Sequence, residues 1–400
     1  MRVLVVSPRA ARLGGAEIIL WNILRHLDRD RVDPRLIFLE DGPFADEVRG
    51  LQMRADVIPA GRLRDPRQAV ALQRSVARVI ADERPDVVLN WSAKAHIYAA
   101  PACRLARSRP VVMWWQQMVP AGHWIDRAAT ALPADAVGAW SQAAMQAQRR
   151  LRPRRDTFVV HPGVPDPGRP TAGERNAARR RLGIPAERRV LVIVGRLQPW
   201  KRQDRFIAAV AALRAQGLDV HAIVVGGAAF GLSEDYAAGL APLGERLGIG
   251  DRMLFTGQVD DVAPYLDCAD VLVNASDVEP FGNVLIEAMA KAVPVIAVAA
   301  GGPAEIVVDG VSGILVPSSD STVLAEALAG LVVDDERRSA IGDGGRARFL
   351  EAFTAEAMVE GLTGRLEATV AASGSSGKSG GTTRRPLPRR GGRRSRRPSA

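Results

Sequence analysis

Four short segments carry the residues that could do chemistry. Gly195-Arg196-Leu197-Gln198-Pro199-Trp200-Lys201 sets two cations after an apolar run, ahead of a helix expected to start near Lys201. A guanidinium fork and a compact ammonium suit the oxygens of a diphosphate and can stabilise charge growing on a departing group. A solvated basic turn would carry the same residues, so this loop alone decides nothing. Glu279-Pro280-Phe281-Gly282-Asn283-Val284-Leu285-Ile286-Glu287 follows a second apolar run. Gly282-Asn283 is expected to open a helix through Met289 whose first N–H groups attract phosphate. Glu287 then stands one turn in, on the face of Asn283, while Glu279 stays on the loop. Acids on a solvated helix would sit among other charges, whereas this segment is otherwise apolar and small.

Two glycine pairs complete the set. In Gly301-Gly302-Pro303-Ala304-Glu305 the backbone can approach a ligand closely, and a short helix presents its amides. Leu13-Gly14-Gly15-Ala16-Glu17, between the first strand and a helix to Leu27, is another amide-lined turn for a phosphate or an anionic acceptor.

Stepwise alternation of β-branched runs and amphipathic stretches must position these loops. Strands are expected at 3–6, 35–39, 56–58, 86–89, 111–114, 136–139 and 157–160, and again at 190–194, 220–225, 252–255, 271–274, 295–297 and 313–316. That is the pattern of two Rossmann-like, doubly wound α/β halves facing each other across a cleft. Between them, His161-Pro162-Gly163-Val164-Pro165 and the residues to about Pro170 can continue neither element and read as a linker, followed by a basic helix at 175–182. Residues 1–165 are thus a first domain and 166–353 a second. After Ser321 only helices are expected, and the stretch 354–370 is long enough to return to the first domain. The first strand of a Rossmann half ends at the cleft, which puts Arg196 and Lys201 there.

Composition narrows the function. The 400 residues carry a net charge of +10, but Lys378 and eight arginines in 371–400 supply nine of those charges, leaving a near-neutral body. A broad basic face for nucleic acid is therefore not expected on the folded part. The Gly/Ser stretch and the paired arginines of 384–397 are expected to be a disordered tail, suited to peripheral contact with an anionic membrane. Cys103 and Cys268, the only two cysteines, fit a reducing cytoplasm, and no apolar run reaches the length of a membrane span. G-x-G-x-x-G spacing is missing at 7–15 and 226–231, which argues against a dinucleotide enzyme. Gly377-Lys378-Ser379 has Ala372 where a P-loop needs glycine, and Asp28-Arg29-Asp30 follows a helix end rather than a strand. No metal and no cofactor is expected.

Arg196 with Lys201, the Glu279 and Glu287 pair, Gly301-Gly302 with Glu305, and Gly14-Gly15 together resemble the motif set of the family 4 retaining glycosyltransferases of GT-B fold, over roughly residues 1–370. The resemblance implies that Arg196 and Lys201 hold a donor diphosphate, Glu279 meets the transferred sugar and Glu287 binds ribose. Gly226-Gly227 and the segment Phe281, Gly282, Asn283 and Val284 would line the nucleotide, and main chain around Val259 in Gly257-Gln258-Val259-Asp260 would meet the base. The implied partners are a nucleotide-sugar donor, UDP- or GDP-linked, and an unspecified glycan, lipid-linked or small-molecule acceptor. Many members carry a His after the strand at 111–114, where this chain has Trp115-Gln116-Gln117. Gln116 cannot exchange a proton, and His123 is a candidate substitute. The resemblance implies a front-face route in which a donor phosphate oxygen takes the acceptor proton, so the loss is tolerable. Glu17, Gln116 and His123 are accordingly candidates for acceptor or sugar contact, and His96 and His161 are read as structural. Trp114-Trp115 and Trp124 could stack on sugars or pack the domain face. Two alternatives share the fold, a nucleotide-sugar 2-epimerase and a non-catalytic partner subunit. The first lacks identifiable extra carboxylates, and the second would have lost the cations or Glu279.

Overall fold

The structure, a computed structural model, describes residues 1–376 apart from 13, 62–64, 121, 152–155 and 229–232. Leu13 of the first glycine turn, part of the 226–231 segment and the arginines of 384–397 lie outside the described residues.

Strands β1 (Arg2–Ser7), β2 (Asp33–Phe38), β3 (Arg54–Val57), β4 (Val87–Asn90), β5 (Val111–Gln116), β6 (Ala136–Ala139) and β7 (Asp156–Val159) form a sheet of order β3-β2-β1-β4-β5-β6-β7. Strands β8 (Arg189–Val194), β9 (Val220–Val225), β10 (Met253–Phe255), β11 (Val271–Asn274), β12 (Val295–Val298) and β13 (Ile314–Val316) form a second, of order β10-β9-β8-β11-β12-β13. Every pairing is parallel. The expected fold class is borne out, with strand ends shifted by a residue or two. The strand expected from 252 begins at Met253 because Gly250–Arg252 makes a 3-10 turn first.

Helices on both faces explain why the central strands are apolar at nearly every position. Val3 and Val5 face one core while Leu4 and Val6 face another; in the second sheet Val190 and Val192 share the core of Val3, and Leu191 and Ile193 face outward to a third. One apolar core thus runs through both sheets. The helix expected at 175–182 starts earlier, as Ala172–Arg181, because Thr171 and Glu174 form a reciprocal capping box.

The chain crosses between the halves twice, side by side. Val164 pairs with Thr354 in a parallel bridge, its amide donating to the Phe353 carbonyl at 3.0 Å and its carbonyl accepting from Ala355 N at 2.9 Å. Gly163 allows this approach, since a Cβ there would sit 2.1 Å from the Thr354 oxygen. The last helix, Ala355–Ser376, extends past the expected end near residue 370 and packs on the first helix, Gly15–His26. Arg31 anchors it through Glu360 at 2.6 Å and Glu367 at 3.0 Å. Met358, Leu362 and Leu366 join the common core. No helix among the described residues is long and apolar enough to cross a membrane.

Candidate active site

Each sheet has a crevice where successive strands leave in opposite directions, between β1 and β4 and between β8 and β11. Ligands of open α/β sheets bind outside the carboxyl ends of the strands at such points. The loops there are the ones with chemistry: Gly14-Gly15 follow β1, Arg196 and Lys201 follow β8, and Glu279 follows β11.

Glu279 is 8% exposed, and its Oε2 receives three donors: Lys201 Nζ at 2.5 Å, Ser276 Oγ at 3.0 Å and Asn274 Nδ2 at 3.3 Å. Asn274 is held in turn by the Ser276 amide, which donates to its Oδ1 at 3.1 Å. All three of these contacts fall on the one oxygen, Oε2. A buried carboxylate needs such compensation, since an unpaired one would cost several kcal/mol or take up a proton. Lys201 also lies 4.3 Å from the centroid of the Trp200 ring. The helix expected near Lys201 starts at Gln203 instead. Pro199–Lys201 forms a 3-10 turn, and Arg202 takes a left-handed conformation (φ 56°) with its Nε on Asp277 at 2.7 Å. This break, together with the Asp277 amide on the Trp200 carbonyl at 2.9 Å, is what ties the Lys201 turn to the Glu279 loop.

Arg196 is fixed through its carbonyl, which accepts from Gln203 Nε2 at 3.0 Å. Its charge is felt across the cleft by Glu17. Burial pushes that carboxyl above its ordinary value, against the pull of its own backbone amide and of Arg9 and Arg196. Gly226 packs under the same loop: its φ is 132°, and a Cβ would sit 2.1 Å from the Gly195 oxygen. The Gly226 amide reaches the Gly257 carbonyl at 3.1 Å, so the turn containing Val259 is part of the same floor. Val259 and Val284 are partly buried against the common core.

The helix Asn283–Ala290 opens at Gly282, whose φ of 111° places it in the left-handed region, and no side chain caps it. The helix Gly15–His26 is likewise without a side-chain cap. The two amino ends meet: Asn283 Nδ2 lies 3.4 Å from the Gly15 carbonyl, and a Cβ on Gly15 would come within 2.7 Å of that nitrogen. Two uncapped helix starts on opposite domains therefore converge beside the Glu279 cluster, where their amides favour an anion. Glu287, partly buried one turn into the second helix, has its carboxyl pushed up to about 7 by burial and by the nearby charge of Asp261.

Other candidates stand apart from this centre. The Phe281 ring, 3% exposed, packs between His161 and Phe353 as part of the common core. Gln116 is 3% exposed and held inside the first domain, its Nε2 on Gln148 Oε1 at 3.0 Å and its Oε1 accepting from Met118 N. His123 is exposed ahead of the helix Trp124–Ala131, and no described contact joins it to Glu279. Trp114 and Trp115 are core residues, stacked on His96 and packed with Trp91 and Trp140; of this group only Trp124 is open to solvent. The Gly302 amide serves the Glu279 carbonyl at 2.9 Å rather than a ligand, and the Glu305 carboxylate reaches the first domain. Asn274 and Ser276 escaped notice in the sequence. The available signal was a polar residue closing the apolar run of β11 and a hydroxyl three positions before the glutamate. Among the described residues no group of three or more His, Cys, Asp or Glu could hold a metal ion.

Comparisons with known proteins agree with the fold. Residues 13–166 match the model of Glycosyltransferase Family 4, and residues 174–348 match that of Glycosyl transferases group 1. The D-inositol 3-phosphate glycosyltransferase of Geodermatophilus obscurus is 39% identical over 233 residues, which is 55% of this chain and 50% of that protein. The chain thus spans about half the length of the curated relatives it matches. Anabaena HepE in complex with UDP and glucose superposes with a TM-score of 0.81 at 27% identity, covering 92% of this chain and all of the other. The same protein in complex with UDP-glucose gives 0.78 at 26%, covering 94% of this chain and again all of the other. With matches in both halves and this fold, the chain belongs to the family 4 glycosyltransferases and has the GT-B architecture.

Proposed function

We propose that the protein transfers a sugar from a nucleoside diphosphate donor, UDP- or GDP-linked, to a glycan, lipid-linked or small-molecule acceptor, with retention of configuration and without a metal ion. The observation that carries this reading is the convergence of Lys201, Ser276 and Asn274 on one oxygen of Glu279, beside two uncapped helix starts. Arg196, Lys201 and the amides at Gly15 and Asn283 take the diphosphate, the Glu279 carboxylate meets the sugar, and Glu287 meets the ribose. The acceptor hydroxyl loses its proton to a donor phosphate oxygen as its oxygen bonds the anomeric carbon. The bond from that carbon to phosphate breaks, and the nucleoside diphosphate leaves with both the electron pair and the proton. Preorganised cations lower this barrier because they face the leaving group, where charge develops.

HepE, described with UDP and with UDP-glucose, supports trying uridine donors first; the inositol phosphate transferases support D-inositol 3-phosphate as the first acceptor. The basic segment 384–397 is proposed to add contact with an anionic membrane. Co-sedimentation with anionic vesicles, comparing the full chain with one truncated after Val370, tests that point.

Nucleoside diphosphate release from UDP- and GDP-sugars, measured with and without acceptors and in EDTA, tests the main proposal. Acceptor-dependent release that survives EDTA, with a product of the donor's anomeric configuration by NMR, is expected. Release that ignores every acceptor and yields an epimerised sugar would replace it with an epimerase, and an inverted product would remove the retaining mechanism.

A further inference from the structure

Glu305 lies among the motif residues, yet its carboxylate is committed across the domain boundary. Oε2 accepts from the Gln142 amide at 2.8 Å and Oε1 from the Ala143 amide at 3.0 Å, the first two amides of the first-domain helix Gln142–Arg150. The next amide, Ala144, is taken by Ser141 Oγ at 3.1 Å. The start of this helix is therefore satisfied largely by a residue of the other domain, in the position where a negative charge is favoured. His161, from the linker, adds its Nε2 at 3.1 Å from Glu305 Oε2.

A second contact runs in parallel. Ser141 Oγ donates to the Pro280 carbonyl at 2.7 Å, one residue after Glu279. The His161 ring stacks on Phe281 with centroids 5.7 Å apart, so one linker side chain touches both the Glu305 carboxylate and the Glu279 loop. The two second-domain loops are themselves one unit. Glu279 bridges Gly301, its carbonyl accepts from the Gly302 amide at 2.9 Å, and a Cβ on Gly302 would lie 2.2 Å from the Phe281 Cα. Burial alone would raise the Glu305 carboxyl, but His161 and the two amides together hold it below its ordinary value, as expected of a committed anion.

We propose that Glu305 is a positioning residue: with Ser141 it clasps the Glu279 loop to the first domain and so fixes where the Glu279 carboxylate stands relative to an acceptor held by that domain. Of the nucleotide contacts assigned above, Arg196, Lys201, Asn283 and Glu287 belong to the second domain, and the one first-domain contact, the Gly15 amide, is tied to Asn283 separately through the Gly15 carbonyl at 3.4 Å, so the clasp acts on turnover far more than on nucleotide affinity. This rests on the reading that Glu279 meets the transferred sugar.

The test compares wild type with Glu305→Gln and Ser141→Ala, two independent halves of the clasp. For each, kcat, donor KM, UDP affinity and the small-angle scattering radius of the nucleotide-bound protein are measured. Both variants are expected to lose roughly 10-fold or more in kcat, as misplacement of about 1 Å costs up to 100-fold. UDP affinity should stay within about threefold of wild type, and the radius should grow. The losses should couple, the double variant falling less than the product of the singles. Ser141→Ala keeps the proposal testable where Glu305→Gln fails to fold. Wild-type kcat and radius in both variants overturn the clasp, as does a loss of UDP affinity matching the loss of kcat. A Glu279→Gln arm reports on the underlying reading separately: full activity there with an expanded radius in the clasp variants leaves the clasp standing and removes the sugar role of Glu279.

Discussion

Replacing Glu287 by glutamine tests the nucleotide side of the cleft with a number. Burial, reinforced by Asp261, pushes this carboxyl up to about 7 from an ordinary 4.5. With the folded pKa above the unfolded one, the folded protein keeps a proton that the unfolded chain releases between those values. Stability therefore falls as pH rises through that window and levels off above it. That upward shift corresponds to a destabilisation of about 3 kcal/mol above pH 7. Water reaching the partly exposed carboxyl reduces this to about 2 kcal/mol. Glutamine cannot ionise, so Glu287→Gln should gain on wild type by about that amount between pH 5 and pH 8 in paired urea unfolding curves. The same substitution should weaken UDP binding, because a ribose acceptor is lost. A stability difference between the two proteins that stays constant from pH 5 to pH 8 would refute the assigned electrostatics, whatever its size.

Arg196→Ala and Lys201→Ala should each lower turnover roughly 100-fold or more, by analogy with the loss of one transition-state donor; turnover within threefold of wild type in both would remove the leaving-group role. Gly302→Ala puts a methyl 2.2 Å from the Phe281 backbone, which cannot yield as a side chain would. A loss of about 1–3 kcal/mol is expected, read as a lowered Tm, and an unchanged Tm would contradict the packing of the two loops. Cys103 and Cys268 are buried, with thiols pushed up to about 12, so neither should react with a thiol reagent at pH 8 until urea unfolds the chain. Rapid labelling of the native protein would show that one of these sites opens.

The central strands were legible because they are buried on both faces, so their apolar runs are nearly unbroken and end where a glycine or polar residue begins a loop; the edge strands Arg54–Val57 and Asp156–Val159, partly exposed, carry polar residues. The same pattern placed Arg196, Glu279 and Gly15 at the cleft, since strand ends in such folds are where loops can diverge. What stayed hidden was tertiary. A left-handed Arg202 cannot be read from arginine, and it moved the helix start from Lys201 to Gln203. That Trp115 is a core residue depends on Trp91 and Trp140, and that Trp114 is one depends on His96, all distant in sequence. Glu305 and His161 meet across 144 residues, a pairing that neither local spacing nor propensity encodes. Asn274 and Ser276 could have been suspected, because a buried carboxylate must find donors and these were the nearest ones in the chain.

On this reading the carboxylate gathered by Lys201, Ser276 and Asn274 is the point where the donor sugar is handled. Measuring acceptor-dependent turnover and UDP affinity of Glu279→Gln side by side with wild type tests it most directly. Turnover is expected to fall roughly 100-fold or more with UDP affinity held within about threefold, because the lost charge faces the sugar and not the nucleotide. Turnover equal to wild type, or a loss of UDP affinity as large as the loss of turnover, would contradict it.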